Sequence, residues 1–480
     1  MVLNLMRLSK GLLRLLSDSP ARNLQPARWV VLLGIFLTML ISVRAASAQG
    51  VHEATLENGL KVLIKPDRRA PSVVQLIAYR VGSVDEYNGV TGISHLLEHM
   101  MFKGTPTVAS GEFSRRVSAA GGRDNAFTSR DYTGYFQQVP SARLAEMMAL
   151  EADRMTQLVL SEKEFATERE VVIEERRLRT EDRARALVSE QLMASAFTAS
   201  PYRHPVVGWM SDLQSVQLDD LRQWYSKWYS PGNATLVIVG DVDPQETLAR
   251  VREHYGPIPA RALPVRKAQT EPSQRGLRES VVKAPAETPY LLMGFKAPRL
   301  ERLDQDIDPF ALEMLAAVLS GDDNARLPRQ LVRGERLADQ AFASYDMTGR
   351  GPALFMLGGA PAKGRSVTDL RKALLEQIRR VAEQGVEESE LERLRIQYVA
   401  SRIYQRDSLM AQATELAGLE MIGLGWQAAD RMLERIRAVQ PAEVREVARR
   451  MFSEDSLTIV TLDPQPLDRK RPISSPTLRH

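Results

Sequence analysis

The 480-residue sequence contains no cysteine. That absence excludes disulfides, thiolate nucleophiles and Cys-based metal sites. Histidine is scarce too. There are six, His52, His95, His99, His204, His254 and His480, and only His95 and His99 lie close together. A transition-metal site must therefore be built from His, Asp or Glu. Long hydrophobic runs are missing but for one, the uncharged stretch Trp29 to Val43, which is shorter than the ~20 residues a spanning helix needs. Arg7, Lys10, Arg14, Arg22 and Arg28 precede it, and Ala46-Ser47-Ala48 follows in the small-residue form of a signal-peptidase site. Residues 1–48 read as a secretion signal, so the mature protein is expected to be exported and periplasmic, or membrane-associated if the signal is retained. With no cysteine after the run, a lipoprotein anchor is excluded.

A real excess of positive charge is also lacking. The chain holds 64 Lys and Arg against 60 Asp and Glu, but six of the bases and one of the acids fall in the leader. Without it the balance is 58 against 59. The basic character belongs to the signal, and no nucleic-acid partner is expected. The remaining composition, 44% hydrophobic and 26% charged, is that of a globular protein long enough for two cores.

One stretch carries the chemistry: Gly92-Ile93-Ser94-His95-Leu96-Leu97-Glu98-His99-Met100-Met101-Phe102-Lys103-Gly104-Thr105. On a helix, His95, Glu98 and His99 share one face within an arc of roughly 100°. Ile93, Leu96, Leu97, Met100 and Met101 take the opposite face. Two imidazoles one turn apart can hold one divalent ion, with the glutamate beside it as a base. A catalytic zinc needs a third protein ligand, which here must come from elsewhere in the chain and is expected to be a carboxylate.

In chain order, Val51 to Asp67 reads as two short strands around Asn58-Gly59, and Ser72 to Val81 as an inner strand. A hairpin is expected over Arg123 to Val139, and an amphipathic helix over Ser141 to Leu160. Ser161 to Ala186 is a charged helix, in which Glu168 and Glu175 lie two turns apart and share a face. Pro231-Gly232-Asn233 turns into the apolar strand Ala234–Gly240, and Asp243-Pro244 caps a further helix. Residues 259–286 are rich in Pro, Arg, Gln and Ser and read as a linker. From 287 to 465 the same order of elements returns without a His pair, and 466–480 is a tail. The expected division is a signal, a metal-bearing domain over 49–258, the linker, and an empty second copy.

These stretches together resemble the pitrilysin-type (M16) zinc metallopeptidases, in particular their two-domain bacterial processing-peptidase-like subfamily. GISHLLEHMMFKGT resembles the family's inverted zinc helix, and GGRDNAFTSRDYTGYF its following hairpin. ERE-VVIEER is similar to its third-ligand segment, and SPGNATLVIVGDVD to the end of its N-terminal domain. The resemblance implies an α+β fold of two homologous domains, of the LuxS/MPP-like metallohydrolase type, forming a clamshell. It implies Zn²⁺ held by His95, His99 and Glu175, with Glu98 as catalytic base. The family's third ligand follows its second histidine by about 76 residues, which points to Glu175 over its neighbour Glu174. Glu168 matches a supporting glutamate. Asn125 and Ala126 match positions that contact a peptide substrate added as a strand. In one place the chain departs from the family. Active relatives carry an Arg and, seven residues later, a Tyr in the second half, and here those positions hold Val332 and Asp339. The resemblance therefore implies a zinc-bearing subunit of a heterodimer whose partner supplies the Arg/Tyr pair, or otherwise a homodimer. A non-proteolytic assembly subunit is the alternative.

Overall fold

The computed structural model describes residues 50–467. The expected signal over 1–48 lies outside the described residues, as does most of the tail over 466–480. From Val51 onward the described chain lies in one compact unit. No helix among the described residues is long and apolar enough to cross a membrane.

The first half contains strands β1 (His52–Thr55), β2 (Lys61–Pro66), β3 (Ser72–Tyr79), β4 (Arg123–Thr128), β5 (Thr133–Pro140) and β6 (Ala234–Gly240), in the sheet order β1-β2-β6-β3-β5-β4. Its helices are α1 (Ile93–Met100), α2 (Glu112–Ala119), α3 (Leu144–Gln157), α4 (Glu162–Arg176), α5 (Ala184–Ala196), α6 (Met210–Ser215), α7 (Leu218–Trp228) and α8 (Pro244–Tyr255). The second half contains β7 (Arg278–Pro285), β8 (Tyr290–Ala297), β9 (Ala338–Ser344), β10 (Ala353–Pro361) and β11 (Leu457–Gln465), in the order β7-β11-β8-β10-β9. Its helices are α9 (Asp308–Ser320), α10 (Val367–Gln384), α11 (Glu388–Gln405), α12 (Leu409–Ile422), α13 (Ala428–Ala438) and α14 (Pro441–Arg450).

The two sheets are the same sheet drawn twice, apart from β1. The pair β2–β6 is parallel, and so is β7–β11. The remaining pairs are antiparallel and correspond one to one: β3–β6 with β8–β11, β3–β5 with β8–β10, and β4–β5 with β9–β10. The repeat expected from the order of elements is thus present as topology. One boundary needs correction: the segment read as linker over 259–286 ends in strand β7. Only alternate residues of Arg278–Pro285 turn inward, and the inward face is built of small or modest side chains, Ser280, Val282 and Ala284. An edge strand whose outward positions include Glu279 and Lys283 has no apolar run to announce it.

The inner strands are buried on both faces. All seven residues of β6 are buried, as are seven of the eight in β3. One face of each sheet packs on helices of its own half, and the other face is covered by a helix from the opposite half. Helix α5 sets Val188, Leu192 and Ala196 against Leu292, Val460 and Leu462 of the second sheet. Helix α12 sets Ala413, Leu416, Ala417 and Met421 against Val74, Leu76, Val237 and Val239 of the first. This exchange explains why strands of both halves read as continuous apolar runs instead of alternating ones. Beside these contacts, a cavity of about 1150 Å³ lies at the junction, lined by residues of both halves that include Arg203, Arg266, Arg299 and Arg350.

Because each half completes the other's core, the halves are expected to unfold together. Leu192→Ala, which removes a fully buried side chain from the exchanged α5, is expected to cost about 2–5 kcal/mol. Urea unfolding followed by probes in both halves should show one coincident transition at lower denaturant. Separate transitions would contradict the exchange.

Candidate metal centre

The metal-motif helix is short and its start is tightly specified. Gly92 caps α1 with φ of 86°, a left-handed conformation that favours glycine. A Cβ at Gly92 would lie 2.5 Å from the Val207 carbonyl oxygen, and one at Gly208 (φ +90°) would lie 2.7 Å from the Gly92 Cα. The two backbones can meet only because both residues are glycine. The buried Glu86 carboxylate closes the helix end: its Oε2 accepts from the Gly92 amide at 2.8 Å and its Oε1 from the Ser94 amide at 2.9 Å. Those are donors that a helix N-terminus leaves unpaired. Burial pushes the Glu86 carboxyl up to about 7, against the pull of these two bonds. Below the first turn, Ile93, Leu96, Leu97, Met100 and Met101 all enter the core, so the apolar face expected from the spacing is the face that docks.

The opposite face brings together His95, His99 and Glu175, whose ligand atoms lie within 4.8 Å of one another. His99 Nε2 is 3.4 Å from Glu175 Oε2, and His95 Nε2 is 3.7 Å from the same oxygen. A tetrahedral zinc with bonds of about 2.0–2.1 Å holds its ligands about 3.4 Å apart, so these separations fit the ion. Glu175 comes from α4 and is 2% exposed, whereas Glu174 points to solvent and pairs with Arg177. Burial would raise the Glu175 carboxyl, but the His99 bond and the charges of His95 and Arg179 outweigh it and bring it down to about 2. Burial would likewise lower His99. Its bonds to Glu168 and Glu175 win and push it up to about 9. The carboxylates therefore favour positive charge at the His pair, as a cation site requires.

Glu168 stands one layer out. Its Oε2 lies 3.1 Å from His99 Nδ1, which leaves Nε2 of that ring facing Glu175. A carboxylate behind a ligating imidazole fixes the ring and its tautomer. The expectation for Glu168 rested on the resemblance and its shared face with Glu175, and the structure brings the three side chains into one chain of contacts.

Two cations here escaped the sequence reading. Lys103 Nζ lies 2.6 Å from Glu168 Oε1, and Arg179 Nη1 lies 2.5 Å from Glu175 Oε1. Arg179 sits one turn beyond Glu175, in a π-helical turn over Arg177–Glu181. Its spacing was visible, but a charge-rich helix offers many such pairs.

Glu98 is on the same face, half-buried, and burial raises its pKa. The Thr128 hydroxyl donates to Glu98 Oε2 at 2.6 Å. Thr128 is the last residue of β4, the outermost strand of its sheet. Alternation along β4 turns Asp124, Ala126 and Thr128 toward the helices, with Asp124 accepting from Ser114 of α2. The hairpin pattern already implied that Thr128 shares a face with Ala126; only the fold puts it on Glu98. Asn125 is exposed on this edge, and its Oδ1 accepts from the Ala126 amide at 2.8 Å.

A cleft of about 830 Å³ joins these groups, and every residue lining it lies between His95 and Val207. Val332 packs half-buried against the second core, and Asp339 is exposed on β9. Neither lines the cleft, and no other residue of the second half does so among the described residues.

Comparison with known proteins agrees with this arrangement. Residues 61–208 match the family described as Insulinase (Peptidase family M16), and residues 215–398 match the Peptidase M16 inactive domain. The zinc protease PqqE of Helicobacter pylori is 33% identical over 393 residues, covering 80% of this chain and 86% of that protein. A zinc protease of Mycobacterium leprae is 30% identical over 352 residues, covering 72% and 77%. The crystal structure of a protease from Helicobacter pylori superposes with a TM-score of 0.82 at 29% identity, covering 87% of this chain and 100% of that one. The motif-bearing half and its emptied copy are therefore the two halves of one known architecture, and the chain belongs to peptidase family M16.

Proposed function

We infer that this protein is a zinc-dependent endopeptidase that cleaves unfolded peptides in the cell envelope, and that it is the metal-bearing subunit of a heterodimer. The observation that carries the reading is the convergence of His95, His99 and Glu175 on one point, with Glu98 beside them in the same cleft. When bound there, zinc would acidify a water and polarise the scissile carbonyl. The protein's own residues do the rest. Glu98, whose burial favours the protonated form, accepts the proton of the attacking water and delivers it to the leaving amine. Thr128 keeps that carboxylate aimed. A peptide would add to the free edge of β4 and take up main-chain bonds, displacing the Asn125 side chain from the Ala126 amide. Strand addition requires an extended chain, which favours unfolded over folded substrates. The leader supports export.

The partner is inferred from what surrounds the cleft. With Val332 and Asp339 in place of the Arg/Tyr pair, and with a cleft lined by the first half alone, a second chain is the natural source of the missing groups. A homologue with an intact pair would complete the site; a second copy of this chain would not bring that pair. The same two residues favour one other reading, a non-proteolytic assembly subunit.

Three measurements test these roles. The protein should take up one equivalent of zinc, and Glu168→Gln should weaken zinc binding by about 10–100-fold in a competition titration. Unchanged affinity would refute its supporting role. Glu98→Gln should keep full zinc content and lose peptide hydrolysis; retained turnover would refute the base assignment. Finally, the purified chain should hydrolyse unstructured peptides weakly alone and strongly with a homologous partner. Strong activity alone would rule out the heterodimer, and none with any partner would favour the assembly role.

A further inference from the structure

The second half does not line the cleft, yet one of its arginines grips the turn that leads into the metal-motif helix and the tip of the hairpin whose strand β4 borders the cleft. Arg350 lies in the loop between β9 and β10, and its side chain is 10% exposed. Its Nη1 and Nη2 each lie 2.8 Å from an oxygen of Asp85, a bidentate pair with a carboxylate only 4% exposed. Nη1 also donates to the Asp131 carbonyl at 2.9 Å, and the Arg350 amide donates to Asp131 Oδ1 at 3.0 Å. Asp85 ends the 3₁₀ turn Ser83–Asp85, and Asp131 stands in the turn of the β4–β5 hairpin.

These two segments are already in contact. The Ser83 amide donates to Ser129 O at 3.3 Å and the Val84 amide to Arg130 O at 2.9 Å. Each then continues into the site. The residue after Asp85 is Glu86, whose carboxylate holds the Gly92 and Ser94 amides at the start of α1. The residue before Ser129 is Thr128, which holds Glu98. Helix start and substrate strand are therefore tied to one another at the point where Arg350 enters. The arginine itself is pre-set. Arg299 Nη1 donates to the carbonyls of Gly349 at 2.9 Å and Arg350 at 2.6 Å, and the Tyr202 hydroxyl lies 3.0 Å from the Arg350 amide.

We propose that Arg350 is a positioning residue of the metal-bearing half: by clamping the Asp85 turn to the hairpin tip, it holds the metal helix and the substrate strand in register. The assignment rests on the peptidase reading for its catalytic consequence but not for its structural one. It gives the empty half a task at the site without any group inside the cleft. A planar fork that meets both oxygens of a carboxylate while reaching a carbonyl is a geometry lysine cannot reproduce.

The test compares Arg350→Met and Arg350→Lys with Lys61→Met in the full-length protein. Lys61 also bridges the halves, through Glu420 at 2.8 Å, but it touches neither segment. Three quantities are measured: zinc affinity, exchange of the Ser83 and Val84 amides that bridge the two segments, and kcat and KM on an unstructured peptide with the partner present. Arg350→Met is expected to speed exchange at both amides by about tenfold or more and to lower kcat/KM by about 10–100-fold, as expected for a site displaced by about 1 Å. Zinc affinity should stay within about threefold, because the ligands come from α1 and α4. Arg350→Lys should recover part of the loss and serves as the readout if the methionine variant does not fold. Lys61→Met should change neither exchange nor turnover. If Arg350→Met and Lys61→Met behave alike in both, Arg350 is only one more inter-half contact and the proposal fails. If the unmodified protein binds zinc but cleaves nothing, the peptidase reading fails instead, and the exchange arm alone decides the role of Arg350.

Discussion

Three carboxylates crowd one cleft in this protein, and much of the first half can be understood as the means of keeping them there. Glu98, Glu168 and Glu175 face two imidazoles within a few ångströms. Burying an unpaired carboxylate costs several kcal/mol, so each needs a counter-charge or a donor. Lys103 answers Glu168, Arg179 answers one oxygen of Glu175, and Thr128 answers Glu98. The other oxygen of Glu175 is left facing the two Nε2 atoms, which is where a divalent cation would balance the charge. The cations are thus placed outside the ligand set. They neutralise the carboxylates from behind and leave the ligating atoms turned inward.

Such a cluster can be held only on elements that do not shift. The metal helix spans two turns and could not hold its place alone. It is fixed by Glu86 at its start, by the glycine-to-glycine contact with Gly208, and by an apolar face docked on the core. That core lies on a sheet whose other face is sealed by α12 from the second half. Removing the second half would strip Val74, Leu76, Val237 and Val239 of their cover and take Arg350 from Asp85. The half without ligands is therefore structurally inseparable from the half that has them.

The fold class, the order of elements and the repeat were legible from the sequence because buried strands such as Ala234–Gly240 and the two-faced metal helix leave strong periodic signals. The cluster of His95, His99 and Glu175 was legible because the His pair has no rivals in the chain, and the resemblance then pointed to Glu175 over Glu174. Strand β7 was not legible, since an edge strand with one narrow apolar face looks like a polar connection. Thr128, Lys103 and Arg350 were not legible for a different reason. Each acts through a contact with a residue far away in sequence or on another element: Thr128 with Glu98, Lys103 with Glu168, and Arg350 with Asp85. Local pattern reports burial and period, while a polar contact between distant segments exists only once the chain has closed.

The second half also shows what the metal helix becomes when its chemistry is removed. Helix α9 follows β8 as α1 follows β3, and their buried residues align in register. Leu96-Leu97 and Met100-Met101 correspond to Met314-Leu315 and Val318-Leu319, all buried. That alignment puts Glu313 at the place of His95, Ala316 at the place of Glu98 and Ala317 at the place of His99. The docking face has been kept and the ligand face reduced to alanine, with one carboxyl left that burial pushes up to about 7. At that position Glu313 lies beside Tyr398 and Arg402 of α11, the helix that answers to α4, so the helix-to-helix contact survives with hydrogen-bonding groups in place of ligands. Core packing and the His/Glu cluster use opposite faces of the same helix. The second-half helix keeps buried apolar side chains at the docking positions, and these support the sheet on which α5 of the first half is docked.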